Sequence, residues 1–460
     1  MKTPDIKYTK AAYKGLIAWT VISLVLFAQC IWIYARNGLA GFQGYVQDSP
    51  FTFIPLALAS AGLVWLLAGF LLWLIHTRRV NNTNLLSWAG FFLVMVSYLN
   101  VLRERVRYGD IGYYIEAAFK ITAHQPLPDT YIYPPLWAVV LSFLTPLGED
   151  GMLIICWLAN LFSLGVFYYL LHRILQHYQF QTNTAALITT IFMLVNMPIM
   201  RTLMYMQVNL HVINFIFLAI LLYQDRPFLS AFFLALAVHF KTSPALLVLA
   251  FLLEFNWRWL FYFVLGMIGI TLFTVALYGW TPYFEFVHNA ALLNGPREFS
   301  MRDSSFDSAV SVAFSYLHIN AAVTKVTIYL FKGITVLLAI VLGLRTTSLY
   351  PIQKPAARLY NAIVPFLFAM TIASPLIWEH HGIFLSLPFL LLLKKIETPA
   401  ENIWFGVAYL FVFLMPAFDF FPWSYTKLFG ILVILGLMWF TDKHDDNSLA
   451  HASWNLFSYH

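Results

Sequence analysis

The chain has 460 residues and a mass of 52.9 kDa; 61% of its residues are hydrophobic, 10% are charged, and its mean hydropathy is +0.74. A soluble domain carries roughly 45–50% apolar and about 25% charged residues, so a soluble globular protein, a disordered chain and a disulfide-stapled secreted domain are all excluded. In so apolar a chain a net charge of +6 reports membrane topology and anionic lipid, and nucleic acid is not an expected partner.

A transmembrane helix needs about 20 apolar residues. Lys2, Lys7, Lys10 and Lys14 precede an apolar run from Leu16 to Tyr34 with no small-residue cleavage site after it. This pattern predicts an uncleaved signal anchor with a cytoplasmic N-terminus. Further apolar runs lie near 52–75, 85–102, 152–171, 184–200, 208–223, 228–240, 243–256, 259–279, 326–344, 359–373, 382–393, 402–416 and 426–440. Several are short, which predicts helices that tilt, kink or stop at membrane depth.

The run 134–147 decides the parity. It begins Tyr133-Pro134-Pro135 and has Pro146 near its end, which suits a short juxtamembrane or re-entrant helix. Left out of the span count, it puts the loops of Arg78-Arg79, Arg173, Arg226, Arg258, Arg345 to Arg358, Lys394-Lys395 and Lys443 on the cytoplasmic side. The expected fold is an all-α polytopic membrane protein of about fourteen transmembrane helices, with both termini inside. Two long outer loops, about 103–151 and 280–325, are expected to hold ordered structure packed on the membrane face. Loops of such length in a compact protein are usually functional or disordered.

Cys30 and Cys156 both sit in apolar runs and are poor material for a disulfide or a metal site. No CxxC, HExxH, GxxxxGK or GxGxxG string occurs. The chemistry-bearing residues instead gather at the expected outer face. Asp110, in Tyr108-Gly109-Asp110-Ile111-Gly112-Tyr113-Tyr114, is either a general base or a loop carboxylate paired with Arg105 or Arg107. Glu116 falls off its face at helical spacing.

Trp378-Glu379-His380-His381 can position a phosphate, carry protons or hold a metal. Adjacent histidines on a helix point about 100° apart, which disfavours a shared metal. Lys241, between two short apolar runs, either snorkels or meets an anion, and Lys332 carries the same ambiguity. Gln207 and Asn209, following Arg201, either cap or cross-link helices or face a ligand. Arg297, Arg302, Asp303 and Asp307 form a solvated loop or an acceptor or phosphate site. Cations kept on the disfavoured side of a membrane invite a functional reason, such as an anionic ligand.

The order of the strings is more specific than any one of them. GDIGYYIEA, YPPLWAVVLSFLTPLG, MQVNLHVINFIFLAILL, AFFLALAVHFKTSPALLVL and SPLIWEHHGIFLSLP follow one another along residues 85–395. This order resembles the GT-C membrane glycosyltransferases, most of all glycosyltransferase family 87, which includes polyprenyl-phosphate-mannose-dependent α-mannosyltransferases. The resemblance implies a GT-C core over 85–395, an N-terminal transmembrane pair over 1–84 and a C-terminal pair with a cytoplasmic tail over 396–460.

It further implies that Asp110 deprotonates the hydroxyl of a lipid or glycan acceptor, which then displaces a polyprenyl phosphate from the sugar with inversion. Lys241, His380, His381, Arg105 and Arg107 become candidates for holding the donor phosphate. Tyr113, Tyr114, Gln207, Asn209, Arg297, Arg302 and Glu379 become candidates for substrate contact. No metal and no cofactor is required, and the expected location is the inner (plasma) membrane with the site on the extracytoplasmic face. Where the family usually has Gly before the Gln, this chain has Met206. The competing readings are a transporter or flippase of lipid-linked sugars, a surface-glycan polymerase or ligase, and a scaffold subunit.

Overall fold

The computed structural model describes residues 84–103, 110–292, 303–349, 355–415 and 423–448, together with scattered positions between 13 and 77. The regular elements among these residues are all helical. In chain order they are α1 (Leu85–Arg103), α2 (Ile111–Thr122), α3 (Leu136–Ser142), α4 (Gly148–His177), α5 (Thr182–Leu194), α6 (Met197–Met204), α7 (Asn209–Leu221), α8 (Pro227–Phe240), α9 (Val248–Leu252), α10 (Trp257–Tyr278), α11 (Thr281–Leu292), α12 (Phe306–Tyr316), α13 (Ala321–Leu349), α14 (Pro355–Ile372), α15 (Ser386–Leu392), α16 (Pro399–Tyr409) and α17 (Thr426–Ser448). Short 3-10 turns at Ser243–Leu247 and Glu379–Leu385 lead into α9 and α15.

Three helical stretches among the described residues are long and apolar enough to cross a membrane: Thr145–His177, Trp257–Tyr278 and Ala321–Arg345. α5 and α6 together are also long and apolar enough, but they are bent by 57° at the break, the shape of a broken span or of a re-entrant loop. The next two helices are shorter. At 1.5 Å per residue, the 13 residues of α7 and the 14 of α8 reach only about 20 Å, less than a hydrocarbon core of about 30 Å. The expected run 134–147 resolves into α3, seven residues long, which is too short to cross. Cys156 is a buried free thiol.

The chain divides into two compact units, the first comprising residues 1–109, 153–194 and 203–206, the second the remainder. In the first, α1 passes close to α4 and α5. A Cβ on Gly90 would fall 2.0 Å from Thr190 Oγ1 and 2.6 Å from Tyr168 Oη, so only glycine permits this approach. Tyr168 and Thr190 share a hydroxyl hydrogen bond of 3.1 Å there, and the Tyr168 hydroxyl also donates to the Ser87 carbonyl at 3.0 Å.

The second unit is built on the α7–α8 hairpin. Ser230 Oγ donates to the Ala219 carbonyl at 2.5 Å and accepts from Trp259 Nε1 at 2.9 Å, tying α7, α8 and α10 at one point. The Trp259 ring stacks on Phe251 with centroids 4.0 Å apart. Asn256 caps α10 by accepting from the Trp259 N–H at 3.0 Å, satisfying one of the donors a helix start leaves open. In α2 the buried positions Ile111, Tyr114, Ile115, Ala118 and Ile121 recur at helical spacing. Its inward face therefore carries aliphatic and tyrosine side chains, while Tyr113, Glu116 and Phe119 are exposed.

The described residues of the second expected outer loop form α11 and α12. Asp303 and Asp307, read from sequence as possible ligand contacts, are both buried and have structural partners. Asp303 Oδ1 accepts from the Ser305 and Ile377 N–H groups at 2.9 and 3.0 Å. Asp307 forms an ion pair with Lys332 of α13 at 2.7 Å, which resolves the ambiguity of that lysine. Arg105, Arg107, Arg297 and Arg302 lie outside the described residues.

Candidate active site

The candidate residues converge on a cavity of about 350 Å³ within the second unit. Asp110, Tyr113, Tyr133, Lys241, Trp378, His380 and His381 line it, with Thr130, Ile132, Pro134, Thr242, Ser243 and the 373–376 segment. Leu246 and Met370 add apolar wall. Asp110 stands at the N-cap position of α2 without capping it, so its carboxylate is not spent on the helix and faces the cavity. Burial pushes this carboxyl up to about 6, against the lowering influence of Lys241 and of a hydrogen bond from Tyr133. A carboxylate of that basicity can take a proton from a hydroxyl near neutral pH.

Behind Asp110 lies a network of hydroxyls. The Tyr133 hydroxyl is 3.5 Å from Asp110 Oδ2 and 3.2 Å from Gln207 Oε1, and the Tyr114 hydroxyl donates to the same Gln207 oxygen at 3.0 Å. Tyr133 carries one proton for two acceptors, so ionised Asp110 and Gln207 compete for it.

Gln207 is placed by the end of α6. Its N–H bonds the Thr202 carbonyl at 2.9 Å, the Met206 N–H bonds the Leu203 carbonyl at 3.1 Å, and Met206 has φ +49°. This is the Schellman arrangement, whose turning residue takes the left-handed conformation that glycine adopts most readily. Met206 thus stands where glycine is the easy choice.

Lys241 closes α8 in extended backbone, which directs its amine back into the cavity. Nζ donates to Asn209 Oδ1 at 3.0 Å and meets His381 Nε2 at 2.8 Å. His381 Nδ1 accepts the Trp378 N–H at 2.9 Å. A backbone N–H can only donate, so the neutral ring carries its proton on Nε2, facing Lys241. In that geometry the ring N–H points at the lysine nitrogen, which can accept it only as an uncharged amine. Burial drives it the same way, lowering it to about 7 against the pull of Asp110. Burial also holds His380 and His381 well below the ordinary histidine range.

The histidine turn is fixed from behind. Glu379 does not line the cavity; its carboxylate pairs with Arg201 Nε of α6 at 2.5 Å. Gly382 packs on the same helix, where an added Cβ would fall 2.8 Å from Pro198 Cγ. Ser304 N–H bonds the Ile377 carbonyl at 2.8 Å while Asp303 holds the Ile377 N–H. The 374–378 wall is therefore clasped to the start of α12.

The sequence-derived candidates thus separate. Asp110, Tyr113, Lys241, His380 and His381 line one cavity, and Gln207 and Asn209 hold its lining side chains from behind. Tyr114 is fully buried beneath the cavity, and Glu379 belongs to the support. Sequence reasoning missed Tyr133, which reads as an apolar residue before a proline pair. The structure also shows the loop around it pinned by α11, where Glu285 accepts the Leu127 N–H at 2.8 Å and Asn289 donates to the carbonyls of Pro128 and Tyr131.

Membrane-length apolar helices mark a membrane protein, and its second unit holds a pocket lined by a carboxylate, an amine and two imidazoles. The family model of glycosyltransferase family 87 matches residues 131–375, more than half of the chain. The chain belongs to that family and is a glycosyltransferase. Comparison with curated proteins and with solved structures gives no match. The matched stretch contains Tyr133, Gln207, Asn209 and Lys241; Asp110 and the Trp378–His381 turn flank it.

Proposed function

We propose that this glycosyltransferase moves a sugar, mannose by preference, from a polyprenyl-phosphate donor to a lipid or glycan acceptor on the extracytoplasmic face of the plasma membrane. Asp110 is the general base. It takes the proton of the acceptor hydroxyl, whose oxygen attacks the anomeric carbon. The bond from that carbon to the phosphate oxygen breaks with its electron pair, and the configuration inverts in one displacement.

The leaving phosphate gains negative charge in the transition state. Lys241 and the histidine turn stand in the same cavity to meet it, and groups that bind developing charge lower the barrier more than groups that bind the ground state equally well. Apolar helices beside the cavity suit a polyprenyl tail. No metal or other cofactor enters this scheme. The single observation that carries the reading is the shared cavity of Asp110 and Lys241: a base for the nucleophile and an amine that can carry charge against the leaving group.

The test is transfer in a purified, lipid-reconstituted preparation. Radiolabelled polyprenyl-phosphate mannose is supplied with a lipid and glycan extract, and a panel of other polyprenyl-phosphate sugars is run beside it. Label passing to one acceptor, one sugar at a time, supports the reading. Growth of a polymer would instead favour a polymerase. Label crossing the membrane with its donor intact would favour a flippase.

A further inference from the structure

The hydrogen bonds of Lys241 fix its charge, and its charge bears on how the site takes its ligand. Three contacts matter. Trp378 N–H occupies His381 Nδ1 at 2.9 Å, His381 Nε2 lies 2.8 Å from Lys241 Nζ, and Nζ donates to Asn209 Oδ1 at 3.0 Å. An ammonium would set an N–H of its own against the Nε2–H of the ring. The arrangement closes only if the ring donates to an amine. We propose that His381 stores Lys241 as an uncharged amine, and that Lys241 gains a proton as a phosphate anion enters the cavity, so that the site binds an anion and a proton together.

The physical reason is desolvation. A buried ammonium with no anion beside it costs several kcal/mol, on the order given for unpaired buried ions, whereas a buried amine that accepts one hydrogen bond and donates another costs little. A phosphate anion reverses the preference. Lys241 then carries three donors, and the His381 Nε2–H is freed to turn toward a phosphate oxygen. His381 is in this sense a positioning residue, because its tautomer is set by the backbone of Trp378.

The titratable groups facing Lys241 are Asp110, from the turn before α2, and His380 and His381, from the turn before α15. Asn209 and the Phe384 ring, 5.6 Å from Nζ, are uncharged neighbours. The inference rests on the reading that this cavity receives the donor phosphate.

The experiment is calorimetric binding of an isoprenyl methyl phosphate diester to the detergent-solubilised full chain, in buffers of different ionisation enthalpy. The diester keeps one negative charge from pH 5 to 9, so any proton taken up belongs to the protein. An amine titrating near 7 before binding and near its ordinary value afterwards takes up roughly 0.9 proton at pH 8 and roughly 0.1 at pH 6. Lys241→Arg, always charged, is expected to bind with no uptake. Asp110→Asn is expected to keep the uptake, which assigns the proton to the lysine.

Binding without proton uptake at pH 8 would overturn the inference and leave the donor-site reading intact. Uptake at pH 8 that persists in Lys241→Arg would also overturn it, by giving the proton to Asp110 or a histidine. Failure of the native protein to bind the diester at all would sink the donor-site reading and the inference together.

Discussion

His381 Nε2 and Lys241 Nζ lie 2.8 Å apart, and because the Trp378 N–H occupies His381 Nδ1 the ring turns its own N–H toward the amine. This relationship links the histidine turn to the end of α8. Residues 140 positions apart in sequence thereby form one unit, the one proposed to hold the donor phosphate. Removing its nitrogen has a stated consequence. Lys241→Met is expected to raise the donor KM and lower kcat/KM by about 10²–10³, the range measured when one donor to a developing negative charge is lost. The acceptor KM is expected to move little. Steady-state kinetics with each substrate varied in turn checks this, and equal losses toward both substrates would make the lysine a structural element.

The basicity of Asp110 sets an acid limb. Its carboxyl is raised to about 6 by burial, and the ionised form is the base. Activity should therefore rise with pH through about 6, where an ordinary aspartate would already be ionised near 4. Lys241 lowers this carboxyl, so Lys241→Met should move the limb to higher pH. The profile of kcat/KM against pH reads both effects, and a limb near 4 in the native protein would contradict the assignment.

Tyr133 is expected to tune that base. Tyr133→Phe keeps the ring packed on Tyr114, with centroids 5.1 Å apart, and removes only the hydroxyl shared between Asp110 and Gln207. A hydrogen bond to a charged group contributes about 1.5–3 kcal/mol, so kcat should fall by about tenfold to a hundredfold. The acid limb should shift upward as well, because the bond stabilises the carboxylate. An unmoved limb together with an unchanged kcat would reduce Tyr133 to wall packing.

A stability prediction comes from the Asp307–Lys332 pair. Lys332→Met leaves a buried carboxylate without its cation, at a cost of about 3–5 kcal/mol. Lys332→Met combined with Asp307→Leu removes both charges and should recover most of that loss. Thermal unfolding of the three variants in one detergent distinguishes this from simple additivity, which would leave the double variant the least stable.

Legibility in the sequence followed the range of the interactions. The helices α7, α8 and α10 fall on their apolar runs because hydrophobic periodicity and composition are local. The short α3 was readable from the prolines around it. Asp110, Lys241 and the histidine turn stood out because ionisable groups beside apolar runs are rare. Pairing was not readable. Asp307 and Lys332 were each noticed, yet nothing in their spacing says that α12 and α13 bring them together. Glu379 looked like a substrate contact because its partner Arg201 lies far away in the chain. Tyr133 carries no charge and sits in an apolar string, so only the fold reveals its reach toward Asp110. Met206 stands at the Schellman turn where a glycine is the easier residue, a departure whose φ became visible only in three dimensions.

The most direct measurement is single-turnover sugar transfer by the lipid-reconstituted native protein and by Asp110→Asn, with donor binding measured on both. The expected result is transfer by the native protein, a loss of at least about a thousandfold in the variant, and donor affinity unchanged within a few-fold. Transfer by Asp110→Asn at close to the native rate would contradict the assignment of Asp110 as the base.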